Sequence, residues 1–196
     1  LEPAVHLNQH EAESICRHYG KRLPTDAEWT SVAFLEQRSN PPTGFINYLG
    51  VTSTSSYSSS SGDYFALAQY IEGLNLADLG WGTINAKTVT LSFWVYSSLT
   101  GTFGGTLFNY DGSRNYPFSY SIPVANTWTT ISVTIAGDTS GTWAGTNGAG
   151  IGVQFGLGCG STLSGTAGVW SGTYYGSCTG ATSVVGTSGA TFYITG

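Results

Sequence analysis

Hydrophobic and polar positions follow two different periods along the 196-residue chain. From about residue 9 to 36 the apolar positions recur at i, i+3 and i+4. Ala12, Ile15 and Cys16 share one helical face, and Trp29, Val32 and Ala33 share another. Asn8 stands where an N-cap is wanted, with Glu11 three positions on, and Gly20 stands where a left-handed residue would end the helix. Thr25-Asp26-Ala27-Glu28 forms a capping box for a second start. The spacing predicts two short helices joined by residues 20 to 24.

After the breaker cluster Asn40-Pro41-Pro42-Thr43-Gly44 the period changes to two. Val89, Leu91, Phe93 and Val95 form one apolar face opposite Thr, Ser, Trp94 and Tyr96. Ile131, Val133 and Ile135 alternate with Thr and Ser, and Ile151, Val153, Phe155 and Leu157 alternate with Gly and Gln. Phe118, Tyr120 and Ile122 repeat the pattern, as do Ala190, Phe192 and Ile194, and residues 44 to 51, 64 to 71 and 103 to 109 are further strands. At least seven strands, each with one solvated face, call for two antiparallel sheets packed together. The expected fold is therefore mainly β, an antiparallel β-sandwich or jelly roll over residues 39–196, preceded by a helical segment over 1–38. The low-complexity stretch 52 to 62 is read as a surface loop within the sandwich, in preference to a linker.

Charge sharpens this division. Ten of the 17 charged side chains, and all three histidines, lie in residues 1 to 38, whereas 27 of the 28 glycines lie after them. A net charge of -5 with six basic residues argues against a nucleic-acid surface, which needs clustered Lys and Arg. Residues 139 to 196 hold no charged side chain or histidine, yet Gly, Ser, Thr and Asn interrupt them too often for membrane insertion. The 27 aromatic residues supply ample surface to bury, so the chain is expected to fold. No signal peptide is visible, and with no methionine the sequence is expected to be a processed or partial chain.

The run from Glu11 to Trp29, with its Gly20-Lys21-Arg22-Leu23-Pro24-Thr25 core followed by Glu28-Trp29, resembles the signature of the formylglycine-generating-enzyme family; the resemblance spans residues 8–33. It implies part of a C-type-lectin-like fold, whose relatives include phage tail proteins that bind without catalysis. The family's catalytic cysteines belong to a later region that this chain replaces, so Cys16 is read as a packing residue. In the second region, Asn75-Leu76-Ala77-Asp78-Leu79-Gly80, Lys87 to Val95, Ser119 to Ile122, Trp128 to Ile135 and Gly189 to Gly196 resemble jelly-roll domains of bacteriophage tail fibres and related virion proteins. That resemblance implies a non-enzymatic virion component, often trimeric, that presents a surface to the host cell alongside other virion proteins.

The candidate chemistry is sparse. After residue 38 the acids are Asp63, Glu72, Asp78, Asp111 and Asp138, with no histidine among them. A glycosidase pair or a Ser-His-Asp arrangement is therefore disfavoured, and no enzyme activity is expected. His6, His10 and His18 lack companions at metal-ligand spacing, so neither a metal nor a cofactor is expected. Asp78 and Asp138 are read as turn caps.

Sugar binding is the better-supported chemistry. Phe108 to Tyr116 is read as a loop that gathers Tyr110, Asp111, Arg114, Asn115 and Tyr116, the combination of rings and planar polar groups that stacks on sugars and bonds adjacent hydroxyls. Arg114 is placed either to pair with Asp111 or to offer its fork to an acidic sugar. Trp143, Trp170, Tyr174 and Tyr175 lie in other Gly-rich loops and complete the candidate ligand set; the competing role for all these rings is packing at the sandwich ends or between subunits. Cys159 and Cys178 are 19 apart. A bond between them would contribute about 3 kcal/mol by chain entropy, the alternative being two small buried hydrophobes. The expectation is a trimeric virion component, a tail fibre or adhesin, that binds a host-surface glycan. Its rivals are a purely structural virion protein and a carbohydrate-binding module of a secreted enzyme.

Overall fold

The computed structural model describes residues 40–196, and from Pro41 onward they form one unit. The two expected helices, Cys16 and the three histidines lie outside the described residues.

Eight long strands form two four-stranded antiparallel sheets. One has the order β1 (Leu49–Thr52), β10 (Thr191–Thr195), β3 (Val89–Ser97), β6 (Thr129–Ile135). The other has the order β2 (Tyr64–Glu72), β7 (Ala149–Cys159), β4 (Gly101–Asn109), β5 (Asn115–Ile122). Two short parallel strands, β8 (Ser164–Gly165) and β9 (Ser177–Cys178), lie in the segment before β10, and a 3-10 stretch, Gly73–Leu79, follows β2. Except for the β4–β5 hairpin, each connection between the long strands carries the chain to the other sheet. Residues 53 to 63 are one such connection, between β1 and β2, and Tyr57 donates its N–H to the Val185 carbonyl at 2.8 Å.

The alternation read from the sequence locates the core. Phe93, Val95, Ile131, Ile135 and Phe192 project from the first sheet and meet Phe103, Leu107, Phe118, Tyr120, Ile122 and the odd positions of β7 from the second. Rings cross the interface as edge-to-face pairs, Phe93 with Phe155 at 4.9 Å and with Tyr120 at 5.1 Å, a geometry favoured over face-to-face stacking.

In the second sheet the expected solvated face survives along β2 but is missing along β7 and most of β4. β7 is buried along almost its whole length, and most of β4 is buried on both sides. The outward positions of β7 include Gly152, Gln154 and Gly156, where a Cβ would collide with Phe108 of β4 at Gly152 and with Ser177 at Gly156; at the two register shifts of β7, a Cβ on Gly150 would meet Gly73 and Leu76, and one on Gly158 would meet Val185. These glycines thus face other parts of the chain, a neighbouring β4 side chain at Gly152 and overlying segments at the others, not water. On the outer face of the first sheet Tyr96 and Tyr193 stack at 5.2 Å and 8°, with Tyr48 at 4.9 Å from Tyr193.

Candidate functional site

The segment Phe108 to Tyr116 is not one loop. Phe108 and Asn109 end β4, Asn115 and Tyr116 begin β5, and only residues 110 to 114 make the turn. This splits the candidate ligand set three ways.

Asn115 is fully buried and occupied by neighbours. Its amide donates to the Thr106 hydroxyl and, at 3.0 Å, to the Tyr175 carbonyl, while its Oδ1 accepts from the Tyr175 N–H at 3.2 Å. The Asn115 amide is thus committed to its neighbours and, through the Tyr175 backbone, ties β5 to the overlying segment. Removing one partner would strand the others in a dry site.

Arg114 does not pair with Asp111. Its Nε and Nη2 donate to the two carboxylate oxygens of Asp138 at 2.6 and 2.8 Å. The Asp138 side chain is 2% exposed and its Oδ1 also accepts the Ser140 N–H at 3.1 Å, so the expected turn cap exists and carries an ion pair besides. Gly141 closes this turn at φ +78, and the Arg114 stem passes so close that a Cβ there would overlap it. The Asp111 carboxylate turns back on its own hairpin instead: Ser113 hydrogen bonds hold it below the ordinary range, the Ser113 N–H at 2.9 Å among them.

Around this pair three tryptophans converge. Trp81 lies 4.7 Å from Trp143 and 5.4 Å from Trp170, Trp143 lies 5.5 Å from Trp170, and all three contacts are edge-to-face. Tyr116, expected as a ligand contact, is buried against Trp170 at 5.1 Å, and the Arg114 guanidinium sits 5.9 Å from the Trp170 ring. Each indole N–H is taken by a backbone carbonyl: Trp81 by Lys87 at 2.7 Å, Trp170 by Ala136 at 2.8 Å, Trp143 by Ser140 at 3.2 Å. The rings are thereby fixed in orientation. Asn109, buried at the end of β4, donates to the Thr142 carbonyl at 3.1 Å and so joins the hairpin to the Trp143 loop. Beside the rings opens a cleft of about 240 Å³ lined by Leu76, Ala77, Gly80, Trp81, Trp143, Ala144 and Gly145. Trp81 was absent from the expected set, although its Gly80-Trp81-Gly82 context is the same signal that singled out Trp143.

Tyr110 and Tyr174 belong elsewhere, on the outer face of the second sheet. Tyr110 packs 6.4 Å from Tyr70, and Tyr174 packs 5.5 Å from Phe108 and 6.3 Å from Tyr64. Burial raises the Tyr174 phenol above its ordinary range, and its hydroxyl donates to Gln154 Oε1 at 2.9 Å.

Cys159 and Cys178 are free thiols. Cys178 is buried, and Cys159 donates to the Leu163 carbonyl at 3.2 Å. Among the described residues no three His, Cys, Asp or Glu side chains gather as a metal site. No family model, curated protein or solved structure matches the chain.

Proposed function

We propose that this is a jelly-roll module of a virion surface protein, a tail fibre or adhesin, that holds a host-surface glycan in the Trp81–Trp143 cleft without turning it over. The strand orders β1-β10-β3-β6 and β2-β7-β4-β5, with the chain passing between sheets at nearly every connection, support the jelly-roll reading. The virion setting rests on the resemblance of the strand segments to tail-fibre domains.

The observation that carries the glycan reading is the locked tryptophan pair beside an open cleft. A half-exposed indole held by its own N–H offers a flat face to sugar C–H groups and loses little freedom on binding. The cleft has room for one sugar ring. Arg114 is committed to Asp138, so the ligand here is neutral, not the acidic sugar its sequence position invited. Three of the five acids among the described residues are likewise engaged, Asp63 with Tyr57 and Ser60, Asp111 with Ser113, and Asp138 with Arg114, an arrangement suited to holding turns.

The test is a titration of tryptophan fluorescence with neutral mono- and disaccharides, run beside cell adsorption and a reducing-end assay on bacterial polysaccharides. Trp143→Ala should weaken binding by about tenfold or more, or 1.4 kcal/mol, at an unchanged fold. Trp170→Ala should instead lower the melting temperature, because that ring holds Trp81, Tyr116 and Arg114 at once. Release of reducing ends, or saccharide binding that ignores Trp143, would refute the reading.

A further inference from the structure

The outer face of the second sheet carries a second set of rings that the cleft does not use. Along β2 the outward positions are Tyr64, Ala66, Ala68 and Tyr70, so two phenols stand about 20 Å apart along the strand with only alanines between them. Tyr174 and Phe108 stand behind this track and Tyr110 beyond its end, giving the contact sequence Tyr64, Tyr174, Phe108, Tyr70, Tyr110 at centroid separations of 5.5 to 6.4 Å. Tyr64 and Tyr70 are each 52% exposed and Tyr110 is 65% exposed. The wall is rigid: Tyr174 is held by Gln154, whose amide donates in turn to the Gly176 carbonyl at 3.0 Å.

We infer that this arc is a binding track for an extended, neutral polysaccharide chain, separate from the tryptophan cleft. The outward positions of β2 hold no aliphatic side chain larger than alanine, and among the described residues no group bonds the phenol hydroxyls of Tyr64, Tyr70 and Tyr110. Exposed ring faces with unoccupied hydroxyls, set in a row over small residues, match the alternating C–H faces and hydroxyls of a sugar chain better than the aliphatic core of a protein contact. Charge decides between sugar classes. Lys87 and Arg114 are the only cations among the described residues; Arg114 is bound to Asp138, and Lys87 precedes β3 of the other sheet. An anionic polymer on the track would meet Glu72 and Asp111 with no counter-charge among the described residues, which costs binding.

The inference shares the glycan ligand of the proposed function but not its cleft. Affinity electrophoresis of the full chain in gels containing an unbranched neutral glucan, a neutral mannan or a polyuronate tests it, followed by titration with neutral oligosaccharides of increasing length. We expect retardation by a neutral polymer, affinity that grows with oligosaccharide length, and a loss of about tenfold or more in Tyr70→Ala and Tyr110→Ala. Tyr70→Phe, which keeps the ring, should retain more than Tyr70→Ala, and Trp143→Ala should leave the length dependence intact. The inference fails if no neutral polymer retards the protein, if the polyuronate binds better, or if a Tyr64→Ala/Tyr70→Ala/Tyr110→Ala variant with wild-type melting is retarded equally. It fails also if that variant abolishes self-association in sedimentation while polysaccharide binding is unchanged, since the arc is then a protein contact. Loss of binding in the tyrosine variants with none in Trp143→Ala would overturn the cleft and leave the track standing.

Discussion

Arg114 and Asp138 meet in a two-pronged ion pair, 2.6 and 2.8 Å, that joins the β4–β5 hairpin to the turn after β6. The Asp138 side chain is almost wholly shielded while the Arg114 side chain keeps 19% of its surface in water. Such a pair adds little over an apolar substitute, yet removing one member leaves a charge in a dry site. Arg114→Ala and Asp138→Asn should each cost about 2 to 4 kcal/mol of stability. The double variant should cost clearly less than the sum of the two. Denaturant unfolding of the three variants measures the coupling; equal and additive small losses would make the pair ornamental.

The strands and core were legible because alternation alone reports which side chains face the opposite sheet. Val89 to Val95 and Ile151 to Leu157 were placed on their buried faces by period two. The partner of Arg114 was not legible, because five acids lay within reach in principle and the choice depends on which turns the sandwich brings together. The tyrosine arc escaped for a related reason: Tyr64 and Tyr70 share a face with each other by spacing, but their neighbours Phe108, Tyr110 and Tyr174 come from β4, its turn and the segment before β9.

Acid should act through two surface carboxylates. The Tyr57 hydroxyl, donating to Asp63 at 2.8 Å, holds that carboxyl below its ordinary value, and Ser113 does the same for Asp111. A carboxyl depressed in the folded state contributes stability above its unfolded value of about 3.9, and the contribution is lost as pH falls through the lower folded value. Melting temperatures should therefore decline below about pH 4, and Asp63→Asn with Asp111→Asn should flatten that decline. An identical acid limb in the double variant would assign the loss to other groups.

Burial raises the Cys159 and Cys178 thiols above their ordinary range, which keeps them protonated and slow to react at neutral pH. Alkylation of both should be slow in the native protein and fast in denaturant, with a melting temperature indifferent to reductant. A melting temperature that drops on reduction, with a peptide joining the two residues in mass spectra, would demonstrate the alternative disulfide.

The outward glycines of β7 should be among the least replaceable residues of the sandwich. The tip of the Phe108 ring lies against Gly152, and Ser177 reaches both Gly156 and Gly104. A methyl at Gly152 must displace the Phe108 ring, which is buried between Tyr70 and Tyr174 and has no open space to enter. Overpacking of this kind costs about 1 to 3 kcal/mol, whereas alanine in an unobstructed strand stabilises relative to glycine by about 0.5 to 1 kcal/mol. Gly152→Ala should thus lower the denaturation midpoint, and Gly152→Ala combined with Phe108→Leu should recover part of the loss by making room. Because Phe108 links Tyr174 to Tyr70, the single variant should also weaken any ligand held on the tyrosine arc while leaving the Trp143 cleft untouched. A Gly152→Ala protein as stable as wild type would mean that the Phe108 ring does not rest on β7.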